Sequence, residues 1–150
     1  MRNTNGEGIQ AMDEPPARRL DEMDDQEVTR FLSELFSHLS PEEEYDLRHE
    51  DYVMEMPQSG ERIKGRENMR AFQEAFGDHS NSPSMRLRRV LVRNGLWILE
   101  GVNDYGRGQV FDVVVIMELR DGKIWRDTRY YSEPFEAPGG RAQWIERMEP

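Results

Sequence analysis

The sequence predicts an α+β domain, a cone-shaped half-barrel in which N-terminal helices cover a curved, mostly antiparallel sheet. Three observations support this fold class. Apolar residues recur at helical spacing up to Phe76, and from Met85 onward they alternate with polar residues as they do in strands. Two dipeptides, Asn94-Gly95 and Asp121-Gly122, stand between alternating runs, where tight hairpin turns require positive φ. We expect the space between helices and sheet to form a cavity.

The composition indicates a single domain with few classes of partner. The chain has 150 residues, a formal net charge of −10, 33% charged residues and no cysteine. The negative charge disfavours nucleic acid and anionic membranes as partners, and the lack of cysteine excludes disulfides and thiol chemistry. No apolar run reaches the roughly 18 residues of a membrane span, and the N-terminus lacks an apolar secretory segment. We therefore expect a cytoplasmic protein.

The chain divides into a leader and one domain. Residues 1–23 are polar and show no period, so we predict a flexible acidic leader. Residues 24–150 then form the single α+β domain, with a C-terminal tail at 134–150. In this tail, Trp144 and Ile145 are expected to lie against the sheet. Trp125 is expected on the outer sheet surface, covered by the tail or by a second subunit.

Two helices are predicted at the start of the domain. Asp24 or Asp25 caps the first, and its apolar residues form one broad stripe. These residues are Val28, Phe31, Leu32, Leu35, Phe36 and Leu39. The run Ser40, Pro41 and Glu43 predicts a second, short helix, because a serine cap, a proline in the first turn and a glutamate three residues after the cap are typical of a helix start.

A short strand pair and a third helix follow. Residues 52–56 alternate as a strand, whose apolar side, with Met54 and Met56, faces inward and leaves Glu55 outside. Residues 62–64 return as a small strand. The third helix starts after Gly65 and is closed by Gly77. Its apolar face holds Met69, Phe72 and Phe76.

The turn at Asn94-Gly95 predicts a hairpin in which Arg93 pairs with Leu96. One face then carries Val90, Val92, Trp97, Leu99, Gly101, Asn103 and Tyr105. The other face carries Leu87, Arg89, Leu91, Ile98, Glu100 and Val102. Because Arg89 and Glu100 lie directly opposite each other, we expect a cross-strand ion pair.

The turn at Asp121-Gly122 predicts a second hairpin, in which Arg120 pairs with Lys123. Its apolar face comprises Phe111, Val113, Val115, Met117, Leu119 and Ile124. The register of the last strand has two solutions. A bulge turns Asp127, Arg129 and Tyr131 inward, whereas strict alternation turns Arg126, Thr128 and Tyr130 inward. We favour the bulge, because bulges are common beside pockets in such sheets.

The order of these elements and three segments carry a family resemblance. The segments are YVMEMP at 52–57, IKGRENMRAF at 63–72 and DGKIWRDTRYY at 121–131. From residue 24 to residue 135 the chain resembles the SnoaL-like branch of the nuclear transport factor 2-like superfamily. The resemblance implies a cystatin-like, cone-shaped half-barrel with an apolar pocket, often dimeric through the outer sheet face. The superfamily includes polyketide cyclases, ketosteroid isomerases, epoxide hydrolases and non-catalytic binding domains.

The catalytic positions of two of these enzyme classes are not matched. The position of the isomerase base holds Met56, and its buried acidic donor falls near Val115. The arginine and aspartate of the epoxide hydrolases fall at Gly101 and Asn103, and their second aspartate falls at or near Arg129. The cyclases of this branch use an acidic residue on a late strand. Asp127 is the nearest candidate for that role.

The candidate catalytic residues are Asp127, Arg129, Asn103 and Tyr131. Asp127 would act as acid or base, and the other three would orient it or stabilise an enolate-like oxygen. The alternative is an ordinary buried ion pair that holds the last strand. The ligand-binding candidates form an apolar, methionine-rich and aromatic lining, which a core without ligand explains equally well. They are Met54, Met56, Trp97, Leu99, Tyr105, Phe111, Val113, Val115 and Met117.

Neither a metal nor a cofactor is expected. His38, His49 and His79 share no ligand spacing, and the sequence contains no phosphate-binding loop or dinucleotide motif. Two hypotheses remain for the domain. It is a small-molecule pocket protein that binds a mostly apolar ligand, with proton-transfer chemistry of the cyclase, isomerase or dehydratase kind. Alternatively, it is a non-catalytic homodimeric module that binds a ligand or a protein.

The two hypotheses differ in the expected state of one residue pair. A tightly held Asp127–Arg129 pair with no room beside it favours the module, and an open cavity with a free carboxylate favours the enzyme. A third hypothesis, an interaction role for the leader, predicts that its deletion removes binding without affecting folding.

Overall fold

The elements of the chain follow one another as the sequence predicts, with additions at both ends. The computed structural model describes residues 19–37, 39–76 and 84–149. Its helices are α1 (Asp25–Leu35), α2 (Pro41–Leu47) and α3 (Arg66–Phe76). Its strands are β1 (Arg48–Met56), β2 (Glu61–Lys64), β3 (Ser84–Arg93), β4 (Leu96–Asp104), β5 (Val110–Arg120) and β6 (Lys123–Ser132). Short 3-10 turns lie at Leu20–Glu22 and Gly139–Trp144.

The six strands form one curved, open sheet in the order β2-β1-β6-β5-β4-β3. Strands β1 and β6 run parallel, and the other neighbouring strands are antiparallel. Helices and sheet enclose one core on the inner face, which confirms the predicted α+β class. Among the described residues, no helix combines the length and the apolar character required to cross a membrane.

Both predicted helix starts in the N-terminal half are capping boxes. The Asp24 carboxylate accepts from the Glu27 backbone N–H at 2.8 Å, and the Glu27 side chain accepts from the Asp24 backbone N–H at 3.2 Å. Ser40 and Glu43 repeat this arrangement at the start of α2. Each box satisfies backbone donors that the first helical turn leaves without a partner.

The two hairpins have the predicted registers. Arg93 pairs with Leu96, and Arg120 pairs with Lys123. The predicted ion pair joins Arg89 Nη2 to Glu100 Oε2 at 2.9 Å. The predicted face of one residue in the first hairpin, Leu87, is wrong.

Leu87 was assigned to the outer face, but it packs against the core. The register of β3 shifts between Leu87 and Arg89, so that Leu87 pairs with Gly101. This bulge reverses the side-chain parity of the strand before Arg88.

Strand β1 starts at Arg48, four residues before the predicted start at Tyr52. Tyr52 and Met54 are buried, as the predicted parity requires. Glu55 lies on the other face, where its carboxylate is 3.1 Å from Arg62 Nη2 and 3.2 Å from Arg126 Nε.

Ordered packing begins before the predicted domain boundary. Leu20 is buried in the core, and its backbone N–H donates to the Gly122 carbonyl at 3.1 Å. The prediction of a flexible leader is therefore corrected for residues 19–23, while residues 1–18 lie outside the described residues. A single leucine in a polar segment has no period, so periodicity gave no signal for this contact.

Two groups of apolar residues lie at the surface. Phe72 and Phe76 of α3 are 40% and 78% exposed, and only Met69 of that face is buried. Trp144 and Ile145 are exposed and do not lie against the sheet of their own chain. The predicted helix end at Gly77 falls outside the described residues.

Candidate functional site

A bulge on β6 decides which side chains the last strand turns toward the core. Glu118 pairs with Arg126, but the next residue, Leu119, pairs with Ile124. Trp125 is therefore an extra residue in β6, and the parity of the strand changes after it. The favoured register is confirmed, since Asp127, Arg129 and Tyr131 lie opposite the inward residues Met117, Val115 and Val113.

Trp125 itself has a neighbour within its own chain, and its cover by a second subunit stays a prediction. It is half-buried, and the guanidinium of Arg120 lies 3.8 Å from the centroid of its ring system. This cation–π contact comes from the adjacent turn of the same chain.

Asp127 is the centre of a buried polar network. Arg129 donates to both carboxylate oxygens, from Nε to Oδ1 at 3.1 Å and from Nη2 to Oδ2 at 2.7 Å. The Tyr52 hydroxyl donates to Oδ2 at 3.2 Å. Asp127 is only 2% exposed, so this carboxylate is shielded from water and held in a bidentate pair.

Burial and charge fix the protonation states around this carboxylate. Burial alone would lower the pKa of the Arg129 guanidinium, but the charge and hydrogen bonds of Asp127, together with Tyr131 and Tyr52, raise that pKa well above its usual value. Burial raises the pKa of the Tyr52 hydroxyl far above its usual range, and the Asp127 charge adds to the effect. Tyr52 therefore remains a neutral hydrogen-bond donor, and Arg129 remains a cation that is paired with the Asp127 carboxylate.

The network continues into the helices through Arg48. This buried guanidinium lies 5.0 Å from the Tyr52 ring centroid and donates to Glu44 Oε2 at 2.6 Å. It also donates to Gln73 Oε1 of α3 at 3.1 Å. Sequence reasoning missed both Arg48 and the role of Tyr52. An available signal was the inward parity of Tyr52, because a buried hydroxyl needs a hydrogen-bond partner.

Asn103 differs from this network because its side-chain oxygen has no partner, although the side chain shares a hydrogen bond with Tyr105. It is 4% exposed, and its Oδ1 has no hydrogen-bond partner among the described residues. Burial raises the pKa of the neighbouring Tyr105 hydroxyl, with a contribution from Tyr131, while Asn103 and Arg129 oppose the shift. An unpaired buried carbonyl oxygen is an acceptor that a ligand can use.

The open end of the inner face is aromatic. The rings of Tyr105 and Phe111 meet edge to face, with centroids 5.6 Å apart. Tyr105 is 45% exposed, and Tyr131 and Phe111 are partly exposed. The Gln58 side chain fixes the backbone here, because it accepts from the Tyr131 N–H at 2.6 Å and donates to the Tyr131 carbonyl at 2.5 Å. Sequence reasoning did not identify Gln58.

The predicted ligand-binding residues divide into a buried and an accessible set. The buried set packs within the core and consists of Met54, Trp97, Leu99, Val113, Val115 and Met117. The accessible set consists of Met56, Tyr105 and Phe111. The expected aromatic wall is also divided, since Trp97 packs edge to face against Phe31, with ring centroids 5.8 Å apart. Ligand contact by these residues remains a prediction.

A hollow of about 320 Å³ lies at the other end of β4. Its walls come from the N-terminal segment, the start of α1 and the β3–β4 hairpin. They are formed by Asp21, Met23, Asp25, Val92, Arg93, Asn94, Gly95 and Trp97. None of the four candidate catalytic residues lines it.

Within the described ranges, no group of three or more histidine, aspartate or glutamate side chains is placed to hold a metal ion. His49 instead lies with Nε2 3.1 Å from Asp121 Oδ2. The other two histidines, His38 and His79, are outside those ranges.

Comparison with known proteins identifies the family. Residues 26–127 match the model of the SnoaL-like domain. This chain belongs to the SnoaL-like domain family. The resemblance stated from the sequence is therefore confirmed, including the nuclear transport factor 2-like fold. No curated protein matches the chain.

Solved structures of bacterial proteins share the fold of this SnoaL-like domain. One is an NTF-2 like protein of unknown function from Burkholderia xenovorans LB400, with 37% identity, a TM-score of 0.64, and coverage of 79% of this chain and 88% of that chain. Another, from Kribbella flavida DSM 17836, is named as a candidate ketosteroid isomerase, with 26% identity, a TM-score of 0.70, and coverage of 82% and 88%. A third is an NTF2-like protein of unknown function from Mesorhizobium loti, with 20% identity, a TM-score of 0.62, and coverage of 80% of this chain and 98% of that chain. At this identity the likeness shows the fold alone.

In this SnoaL-like domain, the positions that the resemblance assigns to isomerase acid–base groups hold side chains that cannot ionise. Met56 is half-buried at the end of β1, and Val115 is fully buried on β5. The ionisable groups of the inner face are instead concentrated on β6.

Proposed function

We propose that this SnoaL-like domain binds a neutral, mostly apolar small molecule at the open end of the inner sheet face, with a hydrogen bond from the ligand to Asn103. The observation that carries the proposal is the buried, unpaired Oδ1 of Asn103. Leaving such an acceptor unsatisfied costs about 1–3 kcal/mol, and a ligand O–H or N–H group recovers part of this cost. Tyr105, Phe111 and Tyr131 supply aromatic surface beside it.

The charge balance of the site supports a neutral ligand. The guanidinium of Arg129, which lies on β6 beside this end, is already paired with Asp127 through two hydrogen bonds. An anionic ligand would compete with that carboxylate for the same donors, and a cationic ligand would meet the buried guanidinium. A neutral molecule with one donor group disturbs neither partner.

The same pair supports binding rather than turnover. A general base needs an oxygen that reaches the proton it abstracts. Both oxygens of Asp127 are engaged, and the residue is 2% exposed. By the criterion derived from the sequence, this arrangement favours the non-catalytic module.

Proton-transfer chemistry is the second candidate, and one observation favours it. The side chain of Arg129 is 17% exposed, whereas that of Asp127 is 3% exposed. A ligand that draws Arg129 outward would free a carboxylate inside an apolar site, where its oxygens could accept a proton from the ligand. Asp127 would then act as acid or base in a cyclase, isomerase or dehydratase reaction.

Three probes with one ring system test the proposal: 2-naphthol, which has a donor, naphthalene, which has none, and 2-naphthoate, which is an anion. We expect 2-naphthol to bind about 5-fold more tightly than naphthalene, corresponding to about 1 kcal/mol for the added hydrogen bond, and 2-naphthoate to bind weakest. The preference should disappear in Asn103→Leu and persist in the control Thr128→Val, which alters the opposite sheet face. Equal binding of all three probes to both variants would refute the proposal.

Native mass spectrometry of the protein from its own host provides the complementary test. A retained neutral molecule with at least one O–H or N–H group is the expected result. Turnover of that molecule, abolished by Asp127→Asn, would instead favour the enzyme.

A further inference from the structure

Strand β1 ends beside the open end of the inner face. Its last pairings with β6 keep one spacing along the chain, and they join Val53 to Arg126, Met54 to Asp127 and Glu55 to Thr128. The strand stops at Met56, and the next residue, Pro57, has no backbone N–H with which to continue the ladder. The regular pairing of β1 with β6 therefore ends at this point.

The side chain of Gln58 continues the pairing where the backbone of β1 cannot. Its Oε1 accepts from the Tyr131 N–H at 2.6 Å, and its Nε2 donates to the Tyr131 carbonyl at 2.5 Å. Gln58 and Tyr131 are 73 positions apart, which is the spacing of the paired residues Glu55 and Thr128. A side-chain amide offers the same donor and acceptor as a peptide unit. We call these two hydrogen bonds the Gln58 clamp.

The turn that carries Gln58 is held by hydrogen bonds of its own. The Gly60 N–H donates to the Met56 carbonyl at 3.0 Å, and the Ser59 hydroxyl donates to the same oxygen at 3.3 Å. Gly60 has a φ of +74°, a conformation that glycine adopts without strain. The clamp therefore ties the end of β6 to a closed, internally bonded turn.

The residues on both sides of the clamp border the proposed ligand site. Tyr131 lies opposite the inward residue Val113, and it neighbours Tyr105, because it adds to the effect of burial in raising the pKa of the Tyr105 hydroxyl. Met56, at which the turn begins, belongs to the accessible set of predicted ligand-binding residues. The clamp thus connects a lining residue of β6 to the turn that follows a lining residue of β1.

We propose that Gln58 is a positioning residue of the ligand site, which acts by holding Tyr131 in the place that binding requires. This inference rests on the proposed function, because it assigns the clamp to the site beside Asn103. When the clamp is broken, the end of β6 is released on its β1 side, and only the molecules with Tyr131 in place bind ligand. The apparent Kd then rises in inverse proportion to the fraction of such molecules.

Two substitutions of Gln58 separate its hydrogen bonds from its bulk. Gln58→Met keeps the length of the side chain and removes both hydrogen bonds. Gln58→Glu at neutral pH keeps an acceptor for the Tyr131 N–H, but its second oxygen meets the Tyr131 carbonyl and cannot donate to it. Protonation of the introduced carboxyl restores one donor beside one acceptor, which is the arrangement of the natural amide.

The Kd of 2-naphthol is measured for both variants at about pH 7 and about pH 4, because the usual pKa of a glutamate carboxyl is about 4.3. Each value is divided by the Kd of the natural chain at the same pH, so that the titration of its own groups cancels. We expect this ratio to be about 5 for Gln58→Met at both pH values. For Gln58→Glu it should be about 5 near pH 7 and less than about 2 near pH 4.

Ser59→Ala is the matched control, since Ser59 belongs to the same turn and its hydroxyl contacts Met56 rather than β6. Its Kd should stay within about 2-fold of the natural value. Circular dichroism verifies that every protein is folded at both pH values. A readout without ligand is hydrogen exchange of the Tyr131 amide, which we expect to be at least about 10-fold faster in Gln58→Met than in the natural chain.

Two results would overturn the role of Gln58 alone. One is an unchanged Kd in Gln58→Met. The other is a ratio for Gln58→Glu that stays high near pH 4, because the loss would then come from the substitution itself and not from the missing donor. In both cases the ligand site stands if 2-naphthol binds the natural chain more tightly than Asn103→Leu. Failure of 2-naphthol to bind the natural chain would overturn the proposed function and this inference with it.

Discussion

Asp127 and Asn103 are both buried polar residues on the inner face of the sheet. They differ in whether their side-chain oxygens have hydrogen-bond partners. Around Asp127, Arg129 and Tyr52 occupy the carboxylate oxygens, and the site is closed. At Asn103, the side-chain oxygen is equally buried but unpaired, and exposed aromatic residues lie beside it. A polar group with all its partners stabilises the fold, whereas a buried group without a partner is available to a ligand.

The largest expected effect is at the closed position. Asp127→Ala leaves the Arg129 guanidinium buried without its counter-ion, so we expect a loss of about 3–5 kcal/mol in the free energy of unfolding. Urea denaturation measures the loss. The control Asp112→Ala removes a carboxylate that is 55% exposed on the neighbouring strand, and it should cost less than about 1 kcal/mol. Similar losses in both variants would remove the distinction between a closed network and a surface pair.

High pH should expose the contribution of Tyr52. Its pKa is raised in the folded protein above the value of about 10 in the unfolded chain, because burial disfavours the phenolate. The resulting stability is fully present below pH 10 and is lost as pH rises above that value, by up to about 1.4 kcal/mol per pH unit. The unfolding free energy of Tyr52→Phe should therefore fall less steeply between pH 10 and 11 than that of the natural protein. Parallel pH profiles would contradict the burial of an un-ionised hydroxyl.

At neutral pH the same substitution tests the hydrogen bond of Tyr52 rather than its ionisation. Tyr52→Phe removes one hydrogen bond to the Asp127 carboxylate while the bidentate contact with Arg129 remains. We expect a loss of about 1–2 kcal/mol, measured by urea denaturation. No loss would mean that the 3.2 Å contact contributes nothing to the network.

The smallest expected change in stability is at Asn103. Asn103→Leu removes both an unpaired buried oxygen and a hydrogen bond with the half-exposed Tyr105, and it inserts an apolar side chain of similar size. The two effects oppose each other, so the unfolding free energy should stay within about 1 kcal/mol or increase. A loss comparable to that of Asp127→Ala would show that the amide oxygen has hydrogen-bond partners in solution. Asn103 would then be a satisfied position like Asp127.

Local chemistry made much of this architecture predictable. Asn94-Gly95 and Asp121-Gly122 set the register of both hairpins, since turn type and register are coupled over a few residues. The bulge that turns Asp127 inward was favoured from the sequence because bulges are common beside pockets in such sheets. The bulge near Arg88 had no such signal, and Leu87 was therefore assigned to the wrong face.

Contacts between distant parts of the chain were not predictable from pattern. The parallel pairing of β1 with β6 brings Tyr52 to Asp127 across 75 positions. Arg48 precedes the recognisable strand pattern, and Leu20 lies alone in a polar segment. Periodicity reports which face a residue occupies, but it does not report which distant element covers that face. Candidate residues were consequently easier to identify than the partners that decide what they do.

The most direct test of the central claim is the stabilisation by 2-naphthol of three proteins, the natural chain, Asn103→Leu and Thr128→Val. A ligand that binds the folded state raises its unfolding free energy by RT ln(1 + [L]/Kd). We predict that saturating 2-naphthol stabilises the natural chain and Thr128→Val equally. Asn103→Leu should gain about 1 kcal/mol less, although its unfolding free energy without ligand is within about 1 kcal/mol of that of the natural chain or higher. Equal stabilisation of all three proteins would contradict the account of Asn103 as the binding position.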